Sequence, residues 1–515
     1  MIVLPNKQHI VFNTPTLESL GGVIPHARTF EYAGEQWTAV PHKVEETHVL
    51  RNLGMSSAPA PILHYYDWPS RFEAMEHQKQ TSAFFVLNRK ALCLNAPGTG
   101  KSMSALWAAD YLMREGIIQK CLIVAPLSTL KSVWGKEIMR HMPHLDFKII
   151  VGSKKKRIEL LNSPGLQVAI INHDGLGVVP DSDLSQFGLV IYDECTALKS
   201  PTSKRFREFF TFMKTYNPWL WMMTGTPIAQ SPTDGWTLAK LVGSKNLPRS
   251  FTAFKDMTMR KVTQFKWVPR EDALDVCKRV LQPSIRYDLS ECKDLPETTL
   301  VHREAAMSKA QLKAFKELKT AAMIEGENIS AANAAVLFQK LLQVGCGVAY
   351  DSEGNSVHFD DKGRVDTLLG ILDEIQDKTI VYVPLRGVQE RLAEVLQKKG
   401  YDVAVVNGSV GREQRYQIFN DFQETDKIDV LLAHPKVASH GLTLTRSKNI
   451  VWYAPIYSLE AYEQANARIR RLTTQGKTVV YHVYATYFER ELYRRLETKR
   501  RVLSDFLSLV SGVNE

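Results

Sequence analysis

Short apolar runs alternate with helix-length polar-periodic stretches along this chain, and they do so in two separate series. The first is Ala91–Leu94, Cys121–Ala125, Lys148–Val151, Gln167–Ile171, Gly188–Tyr192 and Leu220–Met223. The second is Lys378–Val383, Asp402–Val406, Asp429–Ala433, Asn449–Tyr453 and Thr478–Tyr484. Runs this short and this apolar read as buried strands. Strands alternating with helices imply right-handed βαβ crossovers, hence parallel sheets with helices on both faces. The expected fold class is α/β, with one lobe over 71–245 and a second over 355–490. At 515 residues the chain exceeds one ordinary hydrophobic core, as two lobes require.

Between the lobes, 246–354 loses the strand rhythm and reads as a helical insertion and linker. Ala305–Leu318 and Ala331–Val344 carry apolar residues at three- and four-residue spacing, and Gly345, Gly347, Gly354 and Gly363 punctuate the stretch after them. Residues 1–70 read as a small α+β accessory domain with a role in substrate recognition. In it, Thr29–Tyr32 and Gln36–Val40 flank Ala33-Gly34-Glu35 as a hairpin, and Val44–Leu53 is a helix stopped by Gly54. The aromatic residues Phe30, Tyr32 and Trp37 read as that domain's own core. Residues 491–515 read as a C-terminal helix with Leu492, Leu496, Leu503, Phe506 and Val510 on one face and Arg494, Arg495, Lys499, Arg500 and Arg501 elsewhere.

Charge and cysteine usage exclude several classes. Lys+Arg 65 against Asp+Glu 55 leaves a net charge of +10, a moderate preference for a polyanionic partner. The six cysteines are scattered, with no CxxC and no Cys/His cluster, so neither a zinc module nor a disulfide framework is expected. No apolar run approaches the roughly 20 residues that cross a bilayer. The first residues lack a basic segment followed by an apolar stretch. The expectation is a protein without a membrane partner, in the bacterial cytoplasm or in that of a host if phage-encoded.

The strongest local signal is Asn95-Ala96-Pro97-Gly98-Thr99-Gly100-Lys101-Ser102, placed after a strand and before a helical stretch, Met103–Leu112. A phosphate-cradling loop needs glycines so that backbone N–H groups can close on the anion, with a helix N-terminus behind them. Lys101 would reach the β- and γ-phosphates and Ser102 would hold Mg²⁺. Such a loop predicts an acidic partner at a later strand end. Phe187-Gly188-Leu189-Val190-Ile191-Tyr192-Asp193-Glu194 supplies one: Asp193 for Mg²⁺ through water, Glu194 to orient and activate the attacking water.

With these residues in hand, Asp193-Glu194-Cys195-Thr196 resembles the second motif of superfamily 2 helicases, particularly the SNF2-type branch. Gln78 in Met75-Glu76-His77-Gln78 resembles the family's adenine-reading glutamine. Ala125–Leu130 is similar to its DNA-contacting motif Ia, and Thr224-Gly225-Thr226-Pro227 to the motif that couples nucleotide to movement. Asn407-Gly408-Ser409, Arg415 and Phe419-Asn420 resemble the segment before motif V, Gly441–Leu444 motif V itself, and Gln464–Arg471 motif VI.

The resemblance spans about 71–500 in the family's order. It implies two RecA-like lobes that use ATP and Mg²⁺. Gln78, Pro97, Gly98, Thr99, Gly100, Lys101, Ser102 and Gly441 would bind nucleotide. Lys101, Asp193, Glu194, Arg468 and Arg471 would be catalytic, Arg471 being the arginine finger. Ser128, Thr129, Arg386 and Ser409 would hold the DNA backbone. From the residues themselves, Lys154–Arg157 reads equally as a basic run along DNA or a solvated loop, and Phe265-Lys266-Trp267 with Arg270 reads as core packing ahead of a base-stacking surface. The similarity of Tyr457–Gln464 to compact phage or bacterial members implies movement on duplex or branched DNA, in fork remodelling or branch migration, alongside replication, recombination or repair proteins. Three other readings stay open: an ATP-switched nucleic-acid clamp, an RNA helicase, and the motor subunit of a restriction or repair complex.

Overall fold

The computed structural model describes residues 1–13, 23–24, 26–228, 230–263, 267–292, 298–324, 331–350, 356–438, 444–470 and 476–498. The chain divides into two units, one reaching to Asp288 and one beginning at Leu289.

The first unit opens with an antiparallel sheet of β1 (Ile2–Leu4), β2 (His9–Asn13), β3 (Arg28–Tyr32) and β4 (Glu35–Pro41), in the order β1-β2-β4-β3. Tyr32 pairs with Glu35, so Ala33 and Gly34 alone make the turn. Both have positive φ, 54° and 79°, as the two central residues of the tight hairpin turn require. Ile10, Phe12, Val40, Leu50 and Ala58 form a local core beneath this sheet. Phe30 and Tyr32 do not belong to it. Strand β3 is an edge, every residue of it exposed, which corrects the reading of its aromatic side chains as core.

The main sheet of this unit comprises β5 (Lys90–Cys93), β6 (Cys121–Ala125), β7 (Phe147–Ile150), β8 (Val168–Asn172), β9 (Leu189–Asp193) and β10 (Trp219–Met223). Further on come a two-stranded hairpin, β11 (Met259–Lys261) and β12 (Trp267–Pro269), and the short β13 (Ser284–Ile285). The sheet order is β13-β5-β10-β9-β6-β8-β7, and every pairing in it is parallel. All five residues of β6 and of β8 are buried, the mark of a parallel strand covered on both faces. The helix Lys101–Arg114 is buried at every position from Met103 to Leu112, so it docks on the sheet with almost no polar face.

The second unit has β14 (Thr299–Glu304), a hairpin of β15 (Val348–Tyr350) and β16 (Ser356–His358), then β17 (Thr379–Tyr382), β18 (Val403–Val406), β19 (Val430–Ala433), β20 (Asn449–Trp452) and β21 (Val479–Tyr484). Its sheet runs β14-β21-β20-β17-β19-β18, again parallel throughout. The architecture is therefore α/β with two parallel-sheet lobes, as the strand rhythm predicts.

Within 246–354 the structure corrects the helical reading. The helices Lys309–Ile324 and Ala331–Gly345 are present, but β13 extends the first sheet and β14 the second. Neither strand carries an apolar run. β13 has two residues, and β14 mixes exposed and half-buried positions at a sheet edge. At the far end, residues 487–498 are helical and bury Leu492, Tyr493 and Leu496. Leu503, Phe506 and Val510 lie outside the described residues, as do Lys499, Arg500 and Arg501. Among the described residues, no helix is long and apolar enough to cross a membrane.

Candidate active site

Because the first sheet is parallel, the loops that follow its strands emerge along one edge, where open α/β sheets bind their ligands. Cys93, Met223 and Asp193 end neighbouring strands in register. The glycine loop after β5, the Thr224–Pro227 turn after β10 and the acidic pair at the end of β9 are thereby brought side by side.

The loop is shaped for close approach. Gly98 and Gly100 have φ of +92° and +86°, and a Cβ on Gly100 would lie 2.1 Å from Gln78 Nε2. Gly100 caps the helix Lys101–Arg114, whose first N–H groups are left to face an anion. Gln78 braces this loop, donating through Nε2 to Thr99 O at 3.2 Å while its Oε1 accepts from Met75 N at 3.1 Å. His77 Nε2 donates to the same carbonyl at 2.9 Å. Thr99 is buried and donates its hydroxyl to Ala96 O at 2.9 Å. Asn95, where the full loop pattern has glycine, acts as a clip. It donates to Thr81 Oγ1 and accepts from Tyr287 N, both at 2.9 Å. Pro97 touches the neighbouring turn: a Cβ on Gly225 would meet Pro97 Cδ at 2.9 Å, so the two loops are in direct contact.

Charge is concentrated at this edge. Lys101 Nζ donates to Asn95 O at 2.8 Å and Ala96 O at 3.2 Å. Burial pulls its pKa down from the ordinary lysine value, and the negative charges of Glu194 and Asp193 push it back up. Asp193 is raised by burial, against the Trp134 hydrogen bond, the Lys101 ammonium and the Glu194 N–H, which lower it. Asp193 Oδ2 accepts from Trp134 Nε1 at 3.1 Å and Oδ1 from Glu194 N at 3.1 Å. Glu194 sits in the left-handed region, φ 49° and ψ 55°, sparsely populated for a residue with a side chain and typical of functional turns.

The hydroxyl of Ser102 in the first turn and the Asp193 carboxylate are hard oxygen donors of the kind that suits Mg²⁺, an ion that keeps several waters. Ser102 and Asp193 would hold it, and it would supply positive charge to phosphate oxygens.

Three residues of this edge carry no signal in the sequence. Trp134 lies in the turn Leu130–Gly135 and is wholly buried. Arg286, buried beyond β13, donates to Leu94 O at 2.5 Å and to Asp288 at 2.9 Å, and its charge acts on Lys101. His173 stacks on Tyr192 at 5.0 Å and donates to Asp193 O at 2.9 Å. An indole N–H and a lone arginine have no local pattern that announces them.

Of the expected DNA contacts in this unit, Ser128 is exposed, whereas Thr129 is buried and donates its hydroxyl to Pro126 O at 2.9 Å. Lys154, Lys155 and Lys156 open an exposed helical turn, but Arg157 is bound into the fold through Gly152 O and Ile150 O. Phe265 and Lys266 lie outside the described residues. Lys255 Nζ stands 3.8 Å over the Trp267 ring, and Arg270 donates to Asp256 O.

In the second unit, Arg468 is buried and donates through Nε to Gln464 O at 2.9 Å, with its own carbonyl accepting from Leu444 N at 3.0 Å. Ser409 is exposed and donates to Asn407 Oδ1. Arg386 is exposed and pairs with Glu390 at 3.0 Å. Arg471 and Gly441 lie outside the described residues.

The pattern of the SNF2-related domain matches residues 76–346, more than half of the chain. The chain belongs to the SNF2-related family. A helicase conserved C-terminal domain matches residues 363–473, the second lobe. Protein p41 of Acyrthosiphon pisum secondary endosymbiont phage 1 is similar at 26% identity over 80% of this chain and 92% of its own length. The ISWI chromatin-remodeling complex ATPase ISW1 of Saccharomyces cerevisiae is similar at 24% identity over 79% of this chain, which spans only 38% of ISW1. A solved Sulfolobus solfataricus SWI2/SNF2 ATPase core in complex with dsDNA is similar at 17% identity with a TM-score of 0.40, over 86% of this chain and 95% of that one. As an SNF2 member this chain is an ATP-hydrolysing enzyme, and its glycine loop and acidic pair both lie within the range that the SNF2-related domain matches.

Proposed function

We propose that this SNF2-family ATPase uses hydrolysis to move on duplex or branched DNA, in fork remodelling or branch migration. One observation carries the reading: the turn Thr224–Pro227 rests directly on the phosphate loop through Gly225 and Pro97. Any change in the loop on ATP turnover is thus passed at once to a neighbouring strand end. Phosphoryl transfer spreads negative charge over the γ-phosphoryl oxygens, so cations must be positioned around it. Lys101 supplies part of that charge, and a Mg²⁺ held by Ser102 and Asp193 would supply more. Glu194 takes the proton of the attacking water, and Arg468 and Arg471 supply further positive charge, Arg471 as the finger.

A motor that tracks DNA must grip phosphates without reading bases. The exposed hydroxyl of Ser128, at the same edge as the acidic pair, suits that role, and Arg386 and Ser409 are the matching positions of the second unit. The net charge of +10 supports a polyanionic track. The deciding experiment compares ATP turnover stimulated by single-stranded, duplex, forked and four-way DNA, with RNA as control. Stimulation by duplex or branched DNA above RNA is expected. Equal or greater stimulation by RNA overturns the reading. Arg471→Ala should lower turnover far more than ATP binding, and loss of nucleotide affinity alone would remove it as the finger.

A further inference from the structure

Two histidines and a glutamate converge in the second unit on side chains that ATP chemistry does not use. His302 on β14 and His482 on β21 are register partners across the parallel pair, and Glu497 reaches them from the helix at 487–498. One donor atom of each lies within 4.8 Å of the other two. Glu497 Oε1 is 3.5 Å from His302 Nε2 and 3.7 Å from His482 Nδ1. Atoms hydrogen-bonded to each other would stand at about 2.7–3.2 Å, so these groups converge without bonding one another.

The two spacings from Glu497 suit a shared cation. Zinc bonds of about 2.0–2.1 Å to imidazole nitrogen and carboxylate oxygen give a tetrahedron with edges of roughly 3.4 Å. An octahedral ion at similar bond lengths needs edges of about 3.0 Å, which would require the groups to close further. Imidazole donors also disfavour Mg²⁺ and Ca²⁺, which take oxygen. Glu497 Oε1 is buried and accepts no hydrogen bond among the described residues.

The histidine geometry is already fixed. His482 Nε2 and the Tyr462 hydroxyl are 2.8 Å apart, and the His482 ring stacks on Tyr493 at 4.1 Å with an interplanar angle of 8°. That arrangement turns Nδ1 towards Glu497, and a metal-bound histidine is characteristically held through its other nitrogen in this way. His302 is 43% exposed, which leaves a route for an ion and a fourth position for water.

We propose that His302, His482 and Glu497 form a tetrahedral transition-metal site of the Zn²⁺ class. Such an ion joins an edge strand, its neighbour and the C-terminal helix. Through Tyr462 it also reaches the helix Leu459–Asn466, which leads into Arg468.

The test uses the full chain, stripped with a chelator and titrated with Zn²⁺ alone by calorimetry, then with Co²⁺ alone by visible absorption. One Zn²⁺ per chain, a Co²⁺ spectrum of tetrahedral intensity and a melting temperature raised by Zn²⁺ are expected. His302→Ala, at an exposed edge-strand position, should abolish the tetrahedral Co²⁺ signal and the melting shift while leaving ATP turnover without added Zn²⁺ unchanged. Tyr462→Phe should weaken Zn²⁺ binding by about 10–100-fold, the usual cost of losing a ligand's outer hydrogen bond. If wild-type protein and His302→Ala bind Zn²⁺ equally, or Co²⁺ gives only an octahedral spectrum, the three residues are an electrostatic cluster and the proposal fails.

Discussion

Each unit buries a charged cluster, and the two are built on opposite terms. In the second unit, Arg364 and Glu489 are each 1% exposed and meet in a two-pronged ion pair, 2.7 and 2.6 Å from Arg364 Nη2 to the two carboxylate oxygens. Arg364 also donates to Tyr453 O, and Glu489 accepts from the Ala485 and Thr486 N–H groups. Burial alone would lower the pKa of Arg364, but Glu489 outweighs it and holds the group firmly protonated. In the first unit, burial wins for both partners: Lys101 is lowered and Asp193 raised, and Lys101 donates to backbone carbonyls. In the second unit the charges satisfy one another. In the first they are opposed by burial and only partly offset from within, an arrangement that functional sites favour.

The largest expected effect tests the chemical side of this contrast. Glu194→Gln should slow ATP turnover by about 10²–10⁴-fold, the range for losing a positioned general base. Near-normal turnover would remove Glu194 from the chemistry. On the structural side, Glu489→Gln leaves the Arg364 charge buried without its counterion and should cost about 3–5 kcal/mol of stability. Chemical denaturation of the full chain measures it. Arg364→Met combined with Glu489→Leu should recover much of that loss, because a buried pair contributes little beyond an apolar replacement. Should the double variant be no more stable than the single one, the pair contributes more than charge balance.

A smaller effect separates the clusters further. Trp134→Phe keeps the packing but removes the N–H that Asp193 Oδ2 accepts. The Mg²⁺ concentration needed for half-maximal turnover should rise by about 10–100-fold. An unchanged Mg²⁺ requirement would make Trp134 a packing residue only. Smallest of all is the stability change expected of Asp193→Asn, a melting temperature unchanged or slightly raised, since the substitution removes a charge that burial opposes. In pH terms, a carboxyl raised on folding contributes stability that is complete below its unfolded pKa and lost as pH rises through its folded one. The gain from Asp193→Asn should therefore be seen at neutral pH and vanish in acid; a gain at acid pH alone would contradict the sign.

Much of the candidate site was legible because its signals are local. Gly98, Gly100, Lys101 and Ser102 are consecutive or nearly so, and Asp193-Glu194 follows directly on the apolar run Leu189–Tyr192. The strand–helix rhythm showed which elements carry these groups, since burial on both faces leaves an unbroken apolar run. What was missed lay where that rhythm is absent: β13 and β14 are edge strands, half-exposed or too short to register. Phe30 and Tyr32 misled for a related reason, because an aromatic in an edge strand looks in sequence like one in a core.

The sequence by itself determined the α/β class, the two parallel lobes, and the glycine loop and acidic strand end as local features. Each rests on a periodicity or a spacing of a few residues, which chain chemistry alone expresses. Only the tertiary structure decided that Trp134 orients Asp193 from 59 positions away, that Arg364 pairs with Glu489 across 125, and that Arg286 meets Leu94 across 192. It also brought His302, His482 and Glu497 together. Partners so far apart are selected by sheet order and helix docking, and those are set by burial of the whole core rather than by any neighbouring residue.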